Sequence, residues 1–395
     1  MTESHAELMD LQKRYVLGTY APDLTLVRGS MATVWDADGN RYLDFGTGIS
    51  VCNLGHCHPR VTEAIQRQAG TLVHVSNLYF NENQPRLAAR ISRHSFGGKV
   101  FFANSGAEAN EGMIKLARRW GNASGRHEIV AMDDSFHGRT LATLAATGRA
   151  KYRAGFQPDV EGFVHVPFND IHALKNAIGD KTAAVLLEPV QGEGGVVAAD
   201  REYLAAVQDL CREHNILLLL DEVQCGMGRT GMMFAYQNYG LEPDAMSMAK
   251  SLGNGVPIGA FEVRADLDEV LPPGTHASTF GGNPLACAAG IAVFDAFEQE
   301  NILENCVKMA GHLRGALADM QKRYDFIREL RGLGLMIGLR MTSVAPKTVM
   351  AEARKRGLLV LTAGEDVLRL MPPLTLAPSE ADEALQVLED VFSLQ

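Results

Sequence analysis

The sequence predicts an α/β fold: a mostly parallel central sheet flanked by helices, with a smaller α+β domain built from both termini. Three observations carry this expectation. Short, mostly apolar runs recur between residues 99 and 263, of the length of buried strands. Helix-forming stretches lie between several of them, and such alternation favours a parallel sheet covered on both faces. After Asn283 the pattern changes to two long helical segments, then short strands and a closing helix. The expected division is 1–55 and 291–395 for the two parts of the small domain, and 56–290 for the large one.

Taken in order, 33–35 and 42–45 flank the polar turn 36–40 and read as a hairpin. Residues 99–102 form an apolar run before a glycine turn, and 107–120 are amphipathic and rich in helix formers. Further strands are expected at 128–132, 183–187, 216–220, 245–248 and 258–263, with a helix over 203–214. Helices follow at 284–300 and 303–323, strands at 336–341, 358–361 and 367–370, and a last helix at 379–392.

At 395 residues the chain can bury a large core across two or three domains. Its 47 acidic against 37 basic residues give a formal charge of −10, which disfavours a nucleic-acid binder. An anionic small substrate stays possible, since a local pocket can oppose the net field. The longest aliphatic run, 216–220, is strand-sized, so no membrane span is expected. Residues 1–14 carry Glu3, Glu7 and Asp10 and no apolar core, unlike a secretory signal. The six scattered cysteines read as reduced thiols, and a cytoplasmic location follows as the expectation.

In an open parallel sheet, ligands gather at the carboxyl ends of the strands. Three such ends draw attention. After 99–102 comes Asn104-Ser105-Gly106-Ala107 at a helix start, either a phosphate cradle or an ordinary capped turn. After 216–220 comes Asp221, a carboxylate that is costly at a buried strand end unless a cation meets it. After 245–248 comes Lys250, ahead of the glycine loop 253–255, where desolvation would lower its pKa and make the amine nucleophilic. Asp221 and Lys250, each taken alone, read more simply as a surface charge at a strand end. Together, 29 residues apart on two strands, they match one βαβ-like step and the needs of a pyridoxal cofactor.

Two other patterns point elsewhere. His56-Cys57-His58 resembles a metal cluster, but no partner pair at zinc-type spacing follows, and no metal is expected. Gly226-Met227-Gly228-Arg229-Thr230-Gly231 fits the dinucleotide fingerprint, with Glu242 or Asp244 as a ribose acid. Arg229 and Thr230 inside it, a doubtful helix start after it and its mid-chain position weigh against a nicotinamide dehydrogenase. A P-loop signature is absent.

The chain resembles the class III aminotransferases, the ω-amino-acid group of fold type I pyridoxal-phosphate enzymes, from about residue 20 to 390. The resemblance is carried in order by Tyr42-Leu43-Asp44-Phe45, Leu54-Gly55-His56-Cys57-His58-Pro59, the segments 104–111, 135–140 and 188–195, Leu220-Asp221-Glu222-Val223-Gln224, Ala249-Lys250 and the segment 278–284. It implies that the large domain binds pyridoxal 5′-phosphate, held as a Schiff base on Lys250, with Asp221 keeping the ring nitrogen protonated. Phe136 and Val223 would sandwich the ring, and Gln224 would bond its phenolic oxygen. Ser105, Gly106 and Ala107 would hold the phosphate, with Thr279 contributed by the other subunit of a homodimer whose active sites lie at the interface.

The same resemblance implies the substrates. Arg139 would clamp the donor's α-carboxylate, because a guanidinium matches a carboxylate bidentately. Ser278 and Tyr20 would lie near the donor; Ala21-Pro22 follows where related enzymes often carry arginine. Arg369 would bind the α-carboxylate of 2-oxoglutarate, with Glu193 as its switch partner. The nearest branch moves the δ-amino group of N2-acetylornithine to 2-oxoglutarate, a step of arginine biosynthesis. Ornithine, succinylornithine or succinyldiaminopimelate are the competing donors, and a pyridoxal-phosphate-binding sensor without turnover is the non-enzyme alternative.

Overall fold

The computed structural model describes residues 5–395; residues 1–4, which open the expected N-terminal segment, lie outside the described residues. A seven-stranded sheet forms its centre, in the order Lys99–Ala103, Gly259–Val263, Ala245–Met248, Leu217–Asp221, Thr182–Leu187, Glu128–Met132, Phe163–Val166. Gly259–Val263 runs antiparallel to both its neighbours, and the remaining pairs are parallel. Every residue of Thr182–Leu187 and Leu217–Asp221 is buried, the signature of strands covered on both faces. Helix Gly106–Asn122 covers one side; it turns Met113, Ile114, Leu116 and Ala117 inward. Gly112 in that helix allows close packing, since a Cβ there would sit 2.2 Å from the Phe261 ring.

Smaller sheets complete the molecule. The strands Leu26–Ser30, Thr33–Asp36 and Arg41–Asp44 form an antiparallel group, and Leu358–Leu359 joins its edge in parallel, with Leu358 opposite Leu43. Ile327–Leu333, Met336–Met341, Val367–Leu370 and Leu361–Ala363 form another four-stranded sheet. Both termini therefore contribute to the α+β part.

Three sequence expectations need correction. The single strand expected at 358–361 is two strands, split at Val360 and belonging to different sheets. Asp221 and Lys250 do follow adjacent parallel strands, but their connection has no α-helix, only a 3-10 turn at Ala235–Asn238. Strands Ile327–Leu333 and Phe163–Val166 were not anticipated; the first carries Arg328, Glu329 and Arg331, which hide its apolar pattern. The division expected at 290/291 falls inside the continuous helix Pro284–Gln299. That helix packs on Pro59–Ala69 and Asn83–His94.

Candidate active site

The parallel strands bring their carboxyl ends to one edge, and the chemistry-bearing residues lie just beyond them. Residues 104–107, 136–139, Asp221, Val223, Gln224 and 249–250 stand at the ends of four different strands, yet all line one cavity of about 430 Å³. Glu188 and the loop 255–258 complete its wall.

Lys250 lies in this cavity with a left-handed backbone, φ 46°. That conformation is unfavourable for a residue with a Cβ and is held only where the surroundings dictate it. A tight 3-10 turn, Lys250–Leu252, begins there, ahead of the glycine loop 253–255. Burial lowers the pKa of its ammonium, opposed by the nearby Glu193 and Asp221 carboxylates.

Asp221 is 3% exposed, and no lysine or arginine forms an ion pair with it among the described residues. Its Oδ2 instead meets His137 Nδ1 at 2.8 Å and accepts from Asn110 Nδ2 at 2.7 Å. Val223 N donates to its Oδ1 at 3.0 Å. His137 Nε2 and Asn110 Oδ1 are buried without a partner. Neither residue was assigned a role from sequence, although both lie inside the resembling segments. Only folding shows that they converge on one carboxylate.

Glu188 was also missed. Its buried carboxylate accepts from Phe136 N at 3.0 Å and Gly192 N at 3.1 Å, so it ties the loop bearing Phe136 to the turn bearing Glu193. Burial raises its pKa, Asp221 adds to the effect and His137 opposes it.

At the helix start, Ser105 caps Gly106–Asn122 by accepting from Glu108 N at 3.2 Å. A Cβ on Gly106 would lie 2.8 Å from Val223 Cγ1, so glycine lets Val223 pack closely against the helix start. The free N–H groups of the first turn and the helix dipole make this an anion site.

Arg369 is 2% exposed, on strand Val367–Leu370. Its Nη1 donates to Glu193 Oε1 at 2.6 Å and to Gln224 Oε1 at 3.1 Å, while Nε has no partner. Burial alone would raise the Glu193 carboxyl, but the guanidinium outweighs it and the pKa is lowered. Gln224 Nε2 also reaches Glu193, at 3.4 Å, and keeps a second hydrogen for another acceptor. Arg139 is exposed at the cavity wall, its guanidinium carbon 4.1 Å from the Tyr152 ring centre. Tyr152 in turn packs edge-on against Phe136.

Five expected residues are not among those that line this cavity within the chain: Arg369 and Glu193, which adjoin it through Gln224, and Ser278, Thr279 and Tyr20. Ser278 and Thr279 line a separate cavity with Asn104 and Phe280, and Tyr20 is 85% exposed. His56 and His58 do not share a site either. His56 Nε2 meets Asp44 at 2.7 Å and His58 Nε2 meets Glu300 at 3.1 Å. The glycine motif 226–231 opens no helix; Arg229 within it is wholly buried.

The cavity fits pyridoxal 5′-phosphate: it combines an amine, a buried carboxylate, a helix start lined by Ser105, Gly106 and Ala107, and orphaned polar atoms. Comparison with known proteins agrees. The class III aminotransferase family profile matches residues 18–392. An acetylornithine aminotransferase from Caldanaerobacter subterraneus is 50% identical over 390 residues, spanning 98% of this chain and 99% of the relative. One from Methanocaldococcus jannaschii is 47% identical, spanning 99% of each. A solved structure of the ornithine aminotransferase from Toxoplasma gondii, with pyridoxal phosphate partly occupying its active site, superposes with a TM-score of 0.94. It has 33% identity and covers 98% of this chain and 94% of its own.

Proposed function

The chain belongs to the class III aminotransferases, and on that premise we propose that it moves the δ-amino group of N2-acetylornithine to 2-oxoglutarate. The products are N-acetylglutamate 5-semialdehyde and glutamate, and the reaction is a step of arginine biosynthesis. The cofactor is pyridoxal 5′-phosphate. The observation that carries the reading is one cavity in which a desolvated lysine and a buried aspartate lie close to an arginine closed by a glutamate.

Lys250 would hold the cofactor covalently, and Asp221 would hold the proton on its ring nitrogen. The N–H groups of Gly106 and Ala107, with Ser105, would bind the phosphate. Phe136 and Val223 would flank the ring, and the second hydrogen of Gln224 Nε2 suits its phenolic oxygen. When bound, the cofactor supplies an electron sink for the carbon that loses its proton. Lys250 Nζ, neutral more readily because burial lowers its pKa, moves that proton off the donor's δ-carbon.

Substrate choice follows from two arginines of unlike setting. Exposed Arg139 suits the donor's α-carboxylate at the rim. Arg369 is neutralised by Glu193 while a donor presents its distal amine; a keto acid's carboxylate would displace Glu193 and take the guanidinium. An active homodimer is part of the proposal. Exposed Leu78, Tyr79 and Phe80, next to the 278–281 loop through Asn77, offer apolar surface for a second copy. Thr279, exposed and outside its own chain's cavity, suits a role in the partner's. No described helix is long and apolar enough to cross a membrane, which accords with a cytoplasmic enzyme.

The test is borohydride reduction of the cofactor-loaded protein followed by peptide mass mapping, with visible spectra before and after N2-acetylornithine. The expected result is cofactor mass on Lys250 and a visible band that bleaches with this donor. A band that bleaches with ornithine or succinylornithine but ignores N2-acetylornithine would replace the substrate. Mass on another lysine would overturn the site.

A further inference from the structure

Arg229, the arginine of the glycine-rich 226–231 segment, has no part in the chemistry above, yet it is the largest fully buried side chain among the described residues. Its guanidinium forms no ion pair there. It donates through Nε to Ser50 Oγ at 3.0 Å, through Nη1 to the carbonyls of Leu335, at 3.2 Å, and Pro372, and through Nη2 to Asn53 Oδ1. Burial lowers its pKa to about 10, which still leaves it charged at neutral pH. A buried charge served by neutral acceptors alone is costly for a mere filler.

The acceptors lead to the carboxylate end of the cavity. Pro372 stands three residues beyond Arg369 on the same segment, which Thr47 Oγ1 also holds through Met371 O at 2.9 Å. Ser50 Oγ reaches Gln224 O at 3.2 Å, and Gln224 Oε1 accepts from Arg369. One planar fork therefore holds the segment carrying Arg369 directly, through Pro372 O, and reaches Gln224, which steadies Arg369, through Ser50.

We propose that Arg229 is a positioning residue for 2-oxoglutarate recognition, setting Arg369 and Gln224 in register through Pro372 and Ser50. This rests on the reading of Arg369 as the keto-acid site. Lysine could not substitute, because three donors on one nitrogen cannot serve four acceptors spread around a planar fork.

The test compares wild type, Arg229→Lys, Ser50→Ala and Arg369→Lys, all cofactor-loaded, with each half-reaction followed separately and melting temperatures recorded. In Arg229→Lys the KM for 2-oxoglutarate should rise about tenfold or more, with the amino-donor half-reaction within about threefold of wild type. Ser50→Ala should shift the same KM in the same direction by less, and it decides the matter if the lysine variant fails to fold. Equal loss in both half-reactions, or an unchanged keto-acid KM, would overturn the proposal. If Arg369→Lys itself leaves that KM unchanged, the Arg369 reading fails first and takes this one with it.

Discussion

Replacing Glu193 with glutamine removes a charge and keeps the shape. Glu193 Oε1 lies 2.6 Å from Arg369 Nη1, with side-chain exposures of 22% and 3%, so solvent screens the pair little. A charge-assisted bond of this kind is worth roughly 1.5–3 kcal/mol, and the neutral bond that glutamine keeps about 1 kcal/mol. The difference, about 0.5–2 kcal/mol, is what an incoming carboxylate no longer has to displace. It corresponds to a factor of about 2–30. Glu193→Gln should therefore raise kcat/KM for glutamate, whose α-carboxylate must reach Arg369, by that factor. N2-acetylornithine makes no such demand and should gain nothing. The assay is stopped-flow loss of the visible band with each amine alone, and the quantity is the ratio of the two kcat/KM values. A ratio within twofold of wild type would show that Glu193 does not compete for Arg369, and the switch would have to be abandoned.

Other outcomes follow from the same geometry. Asp221→Asn removes the anion that His137 and Asn110 orient, and should lower kcat/KM with any donor about 100-fold or more while cofactor content stays near wild type; retained activity would contradict the role of Asp221. Gly106→Ala places a Cβ 2.8 Å from Val223 Cγ1, and should destabilise the apo-protein by about 1–3 kcal/mol and weaken cofactor binding, both measurable by thermal melts with and without cofactor. His56 has its pKa raised to about 10 by Asp44 first and Cys52 second, against burial. Because the folded-state value is raised, its stabilisation is fully present below about pH 6.5, the unfolded value, and is lost as pH rises toward 10. The melting-temperature gap between wild type and His56→Gln should narrow from pH 6 to pH 10; a constant gap would disprove the linkage.

Much of this protein was legible in its residue order. The strands at Glu128–Met132, Ala245–Met248 and Met336–Met341 announce themselves as apolar runs of strand length, because burial on both faces admits little else. Lys250 and Asp221 stand at strand ends, and strand ends in parallel sheets converge whatever the loops between them do. The order of the motifs, through the family resemblance they carry, was enough to point to the reaction class. Tertiary structure alone decided the rest. The hairpin over 33–45 does not reveal that Leu358 is its parallel partner, since strand pairing is settled by the whole core and not by local pattern. His137, Asn110 and Glu188 read as unremarkable polar residues until folding gathers them around Asp221 and Gly192. Arg229 looked like an intruder in a nucleotide-binding motif; packing makes it the buried fork between both ends of the chain. Periodicity reports which residues leave water, a local property of the chain. Which polar groups satisfy one another after that is a long-range matching problem, and only the folded core solves it.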